Sequence, residues 1–416
     1  MTLAAFILAA AAWHAASEAA IDPRLATTEV AEVIADNFYD AERGSAIAED
    51  LRREAASGRY EGFDDPHTLA AALTERLSPL DGHLSVMWSE PSDEVSQEGA
   101  APVSWYDLMA RQGHGFRHVE VLPGNVGLIT MTNFAEIDFA NPDDAARRAA
   151  DAALDFVADT DAVIFDLRGN GGGSSAMTGY LVSAFALPDA EIYNRFVYRE
   201  GEKSEAPEEA SRRIMGNKPL FILVSARTAS AGESFPYMLQ AAGRAVVIGE
   251  RTAGAANPGG DVVTKSGFQV FVPTGRPINP RTGTNWEGTG VVPDLEIEAE
   301  DALALAHQKA LELSGKKHPD AQWTLEALKA DTAVKPRRLA ALEGRYGPYD
   351  IKRQDDGLMV LQDRRMPIRL HPLSADLFFV EGEPTVRFAF LRDERGQVVG
   401  VERQTAFGYV RRQTKS

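Results

Sequence analysis

Short, continuous apolar runs alternate with helical stretches through the middle of the chain, and this alternation constrains the fold more than any other feature. Continuous apolar runs are typical of strands that are buried on both faces of a parallel sheet. The runs lie at 119–122, 126–131, 162–165, 220–224 and 245–248, and helical patterns cover 143–158, 176–185 and 230–242. The pattern therefore predicts an α/β core with a mostly parallel sheet.

The pattern changes on both sides of this core. Over 27–77 apolar residues recur at intervals of three and four, which predicts an N-terminal helical domain, here given as 21–115. The core is predicted at 116–315; it ends with a helix over 302–313 and is followed by a linker at 314–319 and a further helix at 324–330. Residues 335–416 alternate apolar and polar positions between Gly- and Asp-containing turns, which predicts a small C-terminal antiparallel β domain.

The charge distribution also separates this last segment from the rest. Residues 331–416 hold 16 Lys/Arg and 12 Asp/Glu, whereas 1–330 hold 27 and 49. The net charge of −18 for the whole chain argues against non-specific binding of nucleic acid. We therefore expect a separate C-terminal module and no nucleic-acid partner.

The first twenty residues form an apolar run that ends in small residues, which is typical of a secretory signal peptide. No Lys or Arg precedes the run, so the alternatives are an Ala-rich first helix of a cytosolic protein or a start site placed too late. The pattern predicts a periplasmic or secreted protein, or a cytoplasmic one if the run is not a signal peptide. No other stretch is long and apolar enough to predict a membrane span.

The chain has no cysteine, which excludes thiol nucleophiles, thiolate metal sites and disulfides. Its eight histidines show no paired spacing of the kind that metal hydrolases use. We therefore expect neither a metal nor a cofactor.

Two segments at predicted strand ends carry candidate chemistry. Residues 166–173, Asp-Leu-Arg-Gly-Asn-Gly-Gly-Gly, expose backbone amides that suit an anion or a developing oxyanion, although a tight structural turn is an equal alternative. Ser230 begins a predicted helix, with Glu233 three residues later. A capping box explains this pair, and so does a nucleophile on a strand-to-helix turn. Alone, the spacing favours the cap.

The order of several motifs, taken together, resembles a known family. Asp-Leu-Arg-x-Asn-x-Gly-Gly, Ser-Ala-x-Glu, Gly-Glu-Arg-Thr-Ala-Gly (249–254) and Gly-Val-Val-Pro-Asp (290–294) follow one another within about 130 residues. This order resembles the serine peptidases that include the C-terminal processing (tail-specific) proteases, the tricorn protease core and interphotoreceptor retinoid-binding protein. The resemblance implies a ClpP/crotonase-like core behind an N-terminal helical domain.

Two departures place the chain nearer the tricorn and retinoid-binding branch. Tail-specific proteases have a catalytic Lys directly after the Gly-x-x-Thr-x-Gly segment, where this chain has Ala255. Residues 89–119 are also too few for the PDZ domain that those enzymes carry.

The resemblance then implies a set of site residues. Ser230 is the nucleophile, His83 its general base and Glu287 the residue that supports His83; the amides of Ala231 and of Gly172 or Gly173 form the oxyanion hole. The branch has Ser directly before its His, whereas this chain has Gly82, so the link from His83 to Glu287 stays open. The candidate supporting residues are Asp81, Glu233 and Glu250.

The sequence thus predicts a serine peptidase that acts on peptides or unfolded protein through an acyl-enzyme. The alternative is a non-catalytic protein that binds peptides or lipophilic ligands on the same scaffold. Acyl-CoA chemistry on such a core is disfavoured because it gives Ser230 no role. Oligomeric state does not follow from the sequence.

Overall fold

The structure is a computed structural model that describes residues 21–88, 104–186, 191–315, 317–330, 339–355, 357–362 and 366–416. The predicted signal peptide at 1–20 lies outside the described residues. The helices are Pro23–Asn37 (α1), Ala41–Ala56 (α2), Pro66–Leu77 (α3), Trp105–Arg111 (α4), Ala145–Phe156 (α5), Ser175–Phe185 (α6), Ala231–Ala241 (α7), Ala302–Ser314 (α8), Pro319–Leu328 (α9) and Leu339–Leu342 (α10).

The strands before the C-terminal module are Ser85–Trp88 (β1), Phe116–Leu122 (β2), Val126–Met131 (β3), Ala162–Asp166 (β4), Arg195–Tyr198 (β5), Gly201–Ser204 (β6), Leu220–Val224 (β7), Val246–Gly249 (β8), Gly259–Val263 (β9), Phe268–Pro273 (β10), Gly275–Ile278 (β11) and Leu295–Glu296 (β12). The module contains Gly344–Tyr346 (β13), Tyr349–Gln354 (β14), Gly357–Gln362 (β15), Ile368–Pro372 (β16), Leu377–Val380 (β17), Glu383–Arg392 (β18), Val398–Thr405 (β19) and Val410–Thr414 (β20). In the described part of the chain, no helix is both long and apolar enough to cross a bilayer.

The chain divides into two compact units, and the first takes its described residues from 21–88, 197–201 and 257–276. An Asp directly precedes each of its helices α1, α2 and α3, and the side chain of this Asp caps the helix by accepting backbone amides of the first turn. The capping residues are Asp22, Asp40 and Asp65. Strand β10 pairs antiparallel with β1 on one side and with β9 on the other. Its inward residues Phe268 and Val270 join the apolar core formed by the three helices.

The second unit contains a six-stranded sheet in the order β12–β8–β7–β4–β3–β2. Its pairs are parallel, except that the edge strand β2 runs antiparallel to β3. Every residue of β4 and β7 is buried. Phe165 of β4 packs into the core that includes residues of α5, α6 and α7, and Ile164 faces the core that includes residues of α8 and α9. The predicted α/β class with a mostly parallel sheet is therefore confirmed.

Two of the expected elements differ from the structure at their ends. Strand β2 begins at Phe116, three residues before the predicted run. Helix α9 begins at Pro319, five residues before the predicted 324, because a proline is well accommodated in the first turn of a helix. The expected linker is thus reduced to the residues between Ser314 and Pro319.

The C-terminal strands β13 to β20 form one antiparallel sheet in sequence order. The sheet closes on itself, because Tyr346 forms a bridge with Lys415 and the amide of Ser416 donates to the carbonyl oxygen of Arg345 at 2.9 Å. Inward apolar side chains such as Phe388 and Val401 fill the interior. The predicted antiparallel β domain is confirmed.

Candidate active site

Ser230 lies on the turn between strand β7 and helix α7. Its backbone has φ 55° and ψ −123°, a conformation that side-chain-bearing residues rarely adopt and that costs free energy. Upstream, the hydroxyl of Thr228 donates to the carbonyl oxygen of Leu167 at 2.8 Å and joins this turn to the end of β4. A strained strand-to-helix turn of this kind exposes a serine hydroxyl at the end of a sheet.

Glu233 fixes this turn from within the protein. Its buried carboxylate accepts the amide of Ser230 at 2.9 Å, the amides of Gly254 and Ala255 at 2.7 and 2.8 Å, and the hydroxyl of Thr252 at 2.5 Å. These four hydrogen bonds replace those that water would make to the carboxylate, and so offset the free-energy cost of burying it. The backbone amide of Glu233 also donates to the backbone carbonyl oxygen of Ser230, at 2.8 Å. Glu233 thus has the structural position expected of a capping-box partner.

The glycine segment packs directly against Ser230. A Cβ added to Gly172, whose φ is +113°, would lie 2.8 Å from Ser230 Cβ and 3.3 Å from its Oγ. A Cβ on Gly173, whose φ is +132°, would lie 2.1 Å from the carbonyl oxygen of Phe134. Both positions therefore require glycine.

The amides of this segment differ in their partners. The amide of Gly172 donates to the side-chain oxygen of Asn170 at 2.9 Å, so this predicted oxyanion donor already has an internal acceptor. The amides of Gly173 and Ala231 have no protein acceptor among the described residues. These amides belong to the residue directly after Ser230 and to the residue directly after Gly172, the glycine that packs against Ser230.

Arg168 and Glu250 contact the protein around the site. Arg168 makes two bonds to the carboxylate of Asp166, at 2.8 and 2.7 Å, and a third to the carbonyl oxygen of Ala299 at 2.6 Å. The bond to Asp166 raises the pKa of Arg168. Glu250 accepts the amides of Ala226 and Ala299 at 3.3 and 3.2 Å. Both side chains therefore connect segments that follow the carboxyl ends of neighbouring strands.

Glu287 lies beside the segment that Glu233 holds. Its carboxylate accepts the amide of Ala256 at 3.0 Å, and its own amide donates to the side chain of Asn285 at 2.9 Å. The neighbouring Gly290, with φ +69°, passes so close to Thr252 that a Cβ would lie 2.3 Å from the Thr252 carbonyl oxygen. The motif segments 249–254 and 290–294 are thus adjacent within this unit.

His83 and Asp81 belong to the first unit and lie between α3 and β1. The carboxylate of Asp81 accepts the amide of His83 at 3.0 Å, and the same oxygen is 3.6 Å from the ring Nδ1. Asn257 donates to the other oxygen at 3.2 Å. Burial on its own raises the pKa of Asp81, but the interactions with His83 and Asn257 outweigh it and lower the pKa. The His83 ring stacks on Phe271 with 6.1 Å between ring centroids.

A buried polar cluster that the sequence did not predict lies one turn along α7 from Ser230. Glu205 is buried; its carboxylate accepts from Asn194 at 2.8 Å and contacts the hydroxyl of Ser234 at 2.8 and 2.7 Å. Burial raises the pKa of Glu205 to about 7, although the bonds from Ser234 and Asn194 act in the opposite direction. No signal marks Glu205 in the sequence, because it lies in a polar stretch that reads as a surface loop.

Comparison with known proteins gives the class of the core. Residues 125–297 match the family model described as peptidase family S41. This match agrees with the family resemblance that the motif order indicates for this segment. It supports a peptidase.

Three solved structures are similar to the chain. A photosystem II D1 C-terminal processing protease is 16% identical, with 67% of this chain and 94% of that chain covered, at a TM-score of 0.45. A lipoprotein from Streptococcus agalactiae is 14% identical, with 75% and 100% covered, at 0.45. The tricorn protease is 13% identical, with 74% and 36% covered, at 0.41. The assignment of the core depends on the family model and not on these structures.

Proposed function

We propose that the protein is a serine peptidase in which Ser230 attacks a peptide carbonyl carbon and forms an acyl-enzyme. One observation carries this proposal: Ser230 has a strained backbone conformation beside two amides without protein acceptors, those of Ala231 and Gly173. A helix cap needs no such conformation, because capping serines normally have extended backbone angles. The conformation therefore favours a nucleophile over a cap.

The proposed oxyanion hole consists of the amides of Ala231 and Gly173. The amide of Gly172 is not part of this oxyanion hole, because it donates to Asn170. Gly172 contributes instead by having no side chain next to Ser230. In acyl transfer, the loss of one such donor typically costs about 3–4 kcal/mol of transition-state stabilisation.

The proposed general base is His83, as the resemblance implies. It removes the proton of the Ser230 hydroxyl during attack and later gives this proton to the leaving amine. Asp81 bonds to the backbone of His83 and lies near its Nδ1, which supports an orienting role despite Gly82. Glu287 is proposed to support the charged imidazole, and the tricorn-like branch is part of the same proposal.

Labelling with a fluorophosphonate probe, followed by mass mapping, tests the nucleophile. The expected result is a label on Ser230 that is lost in Ser230→Ala and in His83→Ala. Ser174→Ala is the matched control, because it removes a helix-capping hydroxyl next to the glycine segment and should keep the label. A folded protein that takes no label would contradict the proposal and favour the non-catalytic binding protein.

We also propose that the protein is exported, because residues 1–20 have the pattern of a signal peptide. Fractionation of expressing cells, with mass analysis of the mature N-terminus, tests this. A cytoplasmic protein that retains Met1 or begins at Thr2 would show that the run is not a signal peptide.

A further inference from the structure

The closed C-terminal sheet contains a cavity of 260 Å³ that the proposed peptidase chemistry does not use. Its apolar wall consists of interior residues of the sheet, among them Val360, Val386 and Phe388. Arg403 and Arg411 also line it, and so do the exposed side chains of Met366 and Tyr409. The cavity thus combines an apolar interior with two cationic groups.

Strand register shows that Arg403 points to the interior of the sheet. Val401 is fully buried in the core of the module, and side chains two residues apart lie on the same face of a strand. Arg403 is paired with buried Phe388 on β18 and with Arg411 on β20. Arg403, which is partly buried, and Arg411, which is exposed, are therefore directly opposite each other on the side of the strands that carries Val401.

This arrangement places two like charges side by side at the cavity. Like charges directly opposite each other on neighbouring strands destabilise a sheet. Within the described residues, neither guanidinium has an ion pair or a side-chain hydrogen bond; Glu383 is the acidic residue in the described lining, and it is exposed. The outward pair next along the same strands is different, because Arg412 bonds to the carboxylate of Glu402 opposite it at 2.5 Å.

We propose that this cavity binds a small carboxylic acid with an apolar tail. The tail contacts Val360, Val386 and Phe388, and the carboxylate lies between Arg403 and Arg411. Arginine is suited to this because its planar guanidinium matches the two oxygens of a carboxylate. The volume lies just below the usual range of about 300–1,000 Å³ for ligand pockets, so the ligand is small. The exposed Met366 and Tyr409 extend the apolar lining.

Calorimetry on the full chain with decanoate, below its micelle-forming concentration, tests the proposal. Decanol has the same tail without the charge and should bind at least tenfold more weakly. Butyrate has the same charge without most of the tail and should also bind at least tenfold more weakly. The absence of decanoate binding, or equal binding of decanol, would overturn the proposal.

Single-residue variants test whether Arg403 and Arg411, and not the neighbouring Arg412, hold the carboxylate. Arg403→Ala and Arg411→Ala should each weaken decanoate binding at least tenfold, whereas Arg412→Ala should bind it like the parent protein. Thermal unfolding gives a second readout: Arg411→Ala should unfold without ligand at no lower temperature than the parent, because a repulsion is removed. It should lose the increase in unfolding temperature that decanoate gives the parent. An equal effect of Arg412→Ala would overturn the assignment of the site.

Discussion

The carboxylate of Glu233 accepts the backbone amide of Ser230 at 2.9 Å while it also binds the amides of Gly254 and Ala255. One buried side chain thus holds the turn of the proposed nucleophile against the segment 252–255. The conformation of Ser230 therefore depends on a residue that is not expected to touch substrate.

Glu233→Gln should destabilise the protein although the side chain keeps its shape. A glutamine offers one acceptor oxygen and presents a donor group to amides that are themselves donors. Each buried donor left unsatisfied costs about 1–3 kcal/mol, so we expect the free energy of unfolding in urea to fall by at least this amount. Glu250→Gln is the control, since Glu250 accepts two longer bonds and is less buried. Equal losses in the two variants would contradict this prediction.

Gly172→Ala should slow fluorophosphonate labelling at least tenfold. Its Cβ would lie 2.8 Å from Ser230 Cβ, and its φ of +113° is unfavourable for alanine. Gly169→Ala, on the same segment, is the matched control because a Cβ there meets nothing within 4 Å. Labelling rates of the two variants, with circular dichroism to confirm folding, check the prediction. Slow labelling of both would point to general loosening of the segment.

Glu205→Gln should change how stability depends on pH. The pKa of Glu205 in the folded protein, about 7, is above that of an unfolded glutamate, so the folded state holds a proton that the unfolded state releases. Stability should therefore fall as pH rises from about 4.5 towards 7 and change little from this group above that. Glutamine resembles the protonated form, and the variant should lack this decline.

The measurement is urea unfolding of both proteins between pH 5 and pH 8.5. The variant should be relatively more stable at the alkaline end. A parallel decline in both proteins would show that Glu205 is not the group responsible.

Asp81→Asn should reduce the rate of labelling at Ser230 at least tenfold if Asp81 orients His83. The amide side chain still fits beside the His83 backbone, but it lacks the negative charge that favours one ring tautomer and supports its protonation. Asp40→Asn is the control, since asparagine also caps a helix and Asp40 caps α2. An Asp81→Asn variant that labels at the parent rate would leave the orienting role to Glu287 alone.

The sequence predicted the core well because its signals are local. Continuous apolar runs mark β3, β4 and β7 within one residue of their observed ends, and the order of motifs indicated the family. The hairpin of β9 and β10 was not anticipated, because β9 contains two glycines and exposed positions, and β1, the other partner of β10, is distant in sequence.

The candidate site was less predictable than the core. The spacing of Ser230 and Glu233 is the same for a cap and for a nucleophile, and only the backbone angles distinguish them. The internal acceptor of the Gly172 amide also depends on how Asn170 turns inward. These backbone angles and hydrogen-bond partners depend on tertiary packing, which the spacing of residues along the chain does not predict.

The hairpin of β9 and β10 has a consequence for synthesis of the chain. Ser85 of β1 is opposite Phe271 of β10, so the two partners are 186 positions apart. A ribosome that has released the first three helices has not yet made the strand that covers their apolar side chains. Contacts this distant slow folding, because a long loop must close first. The apolar side chains of the N-terminal helices therefore lack this strand until nearly two thirds of the protein has emerged.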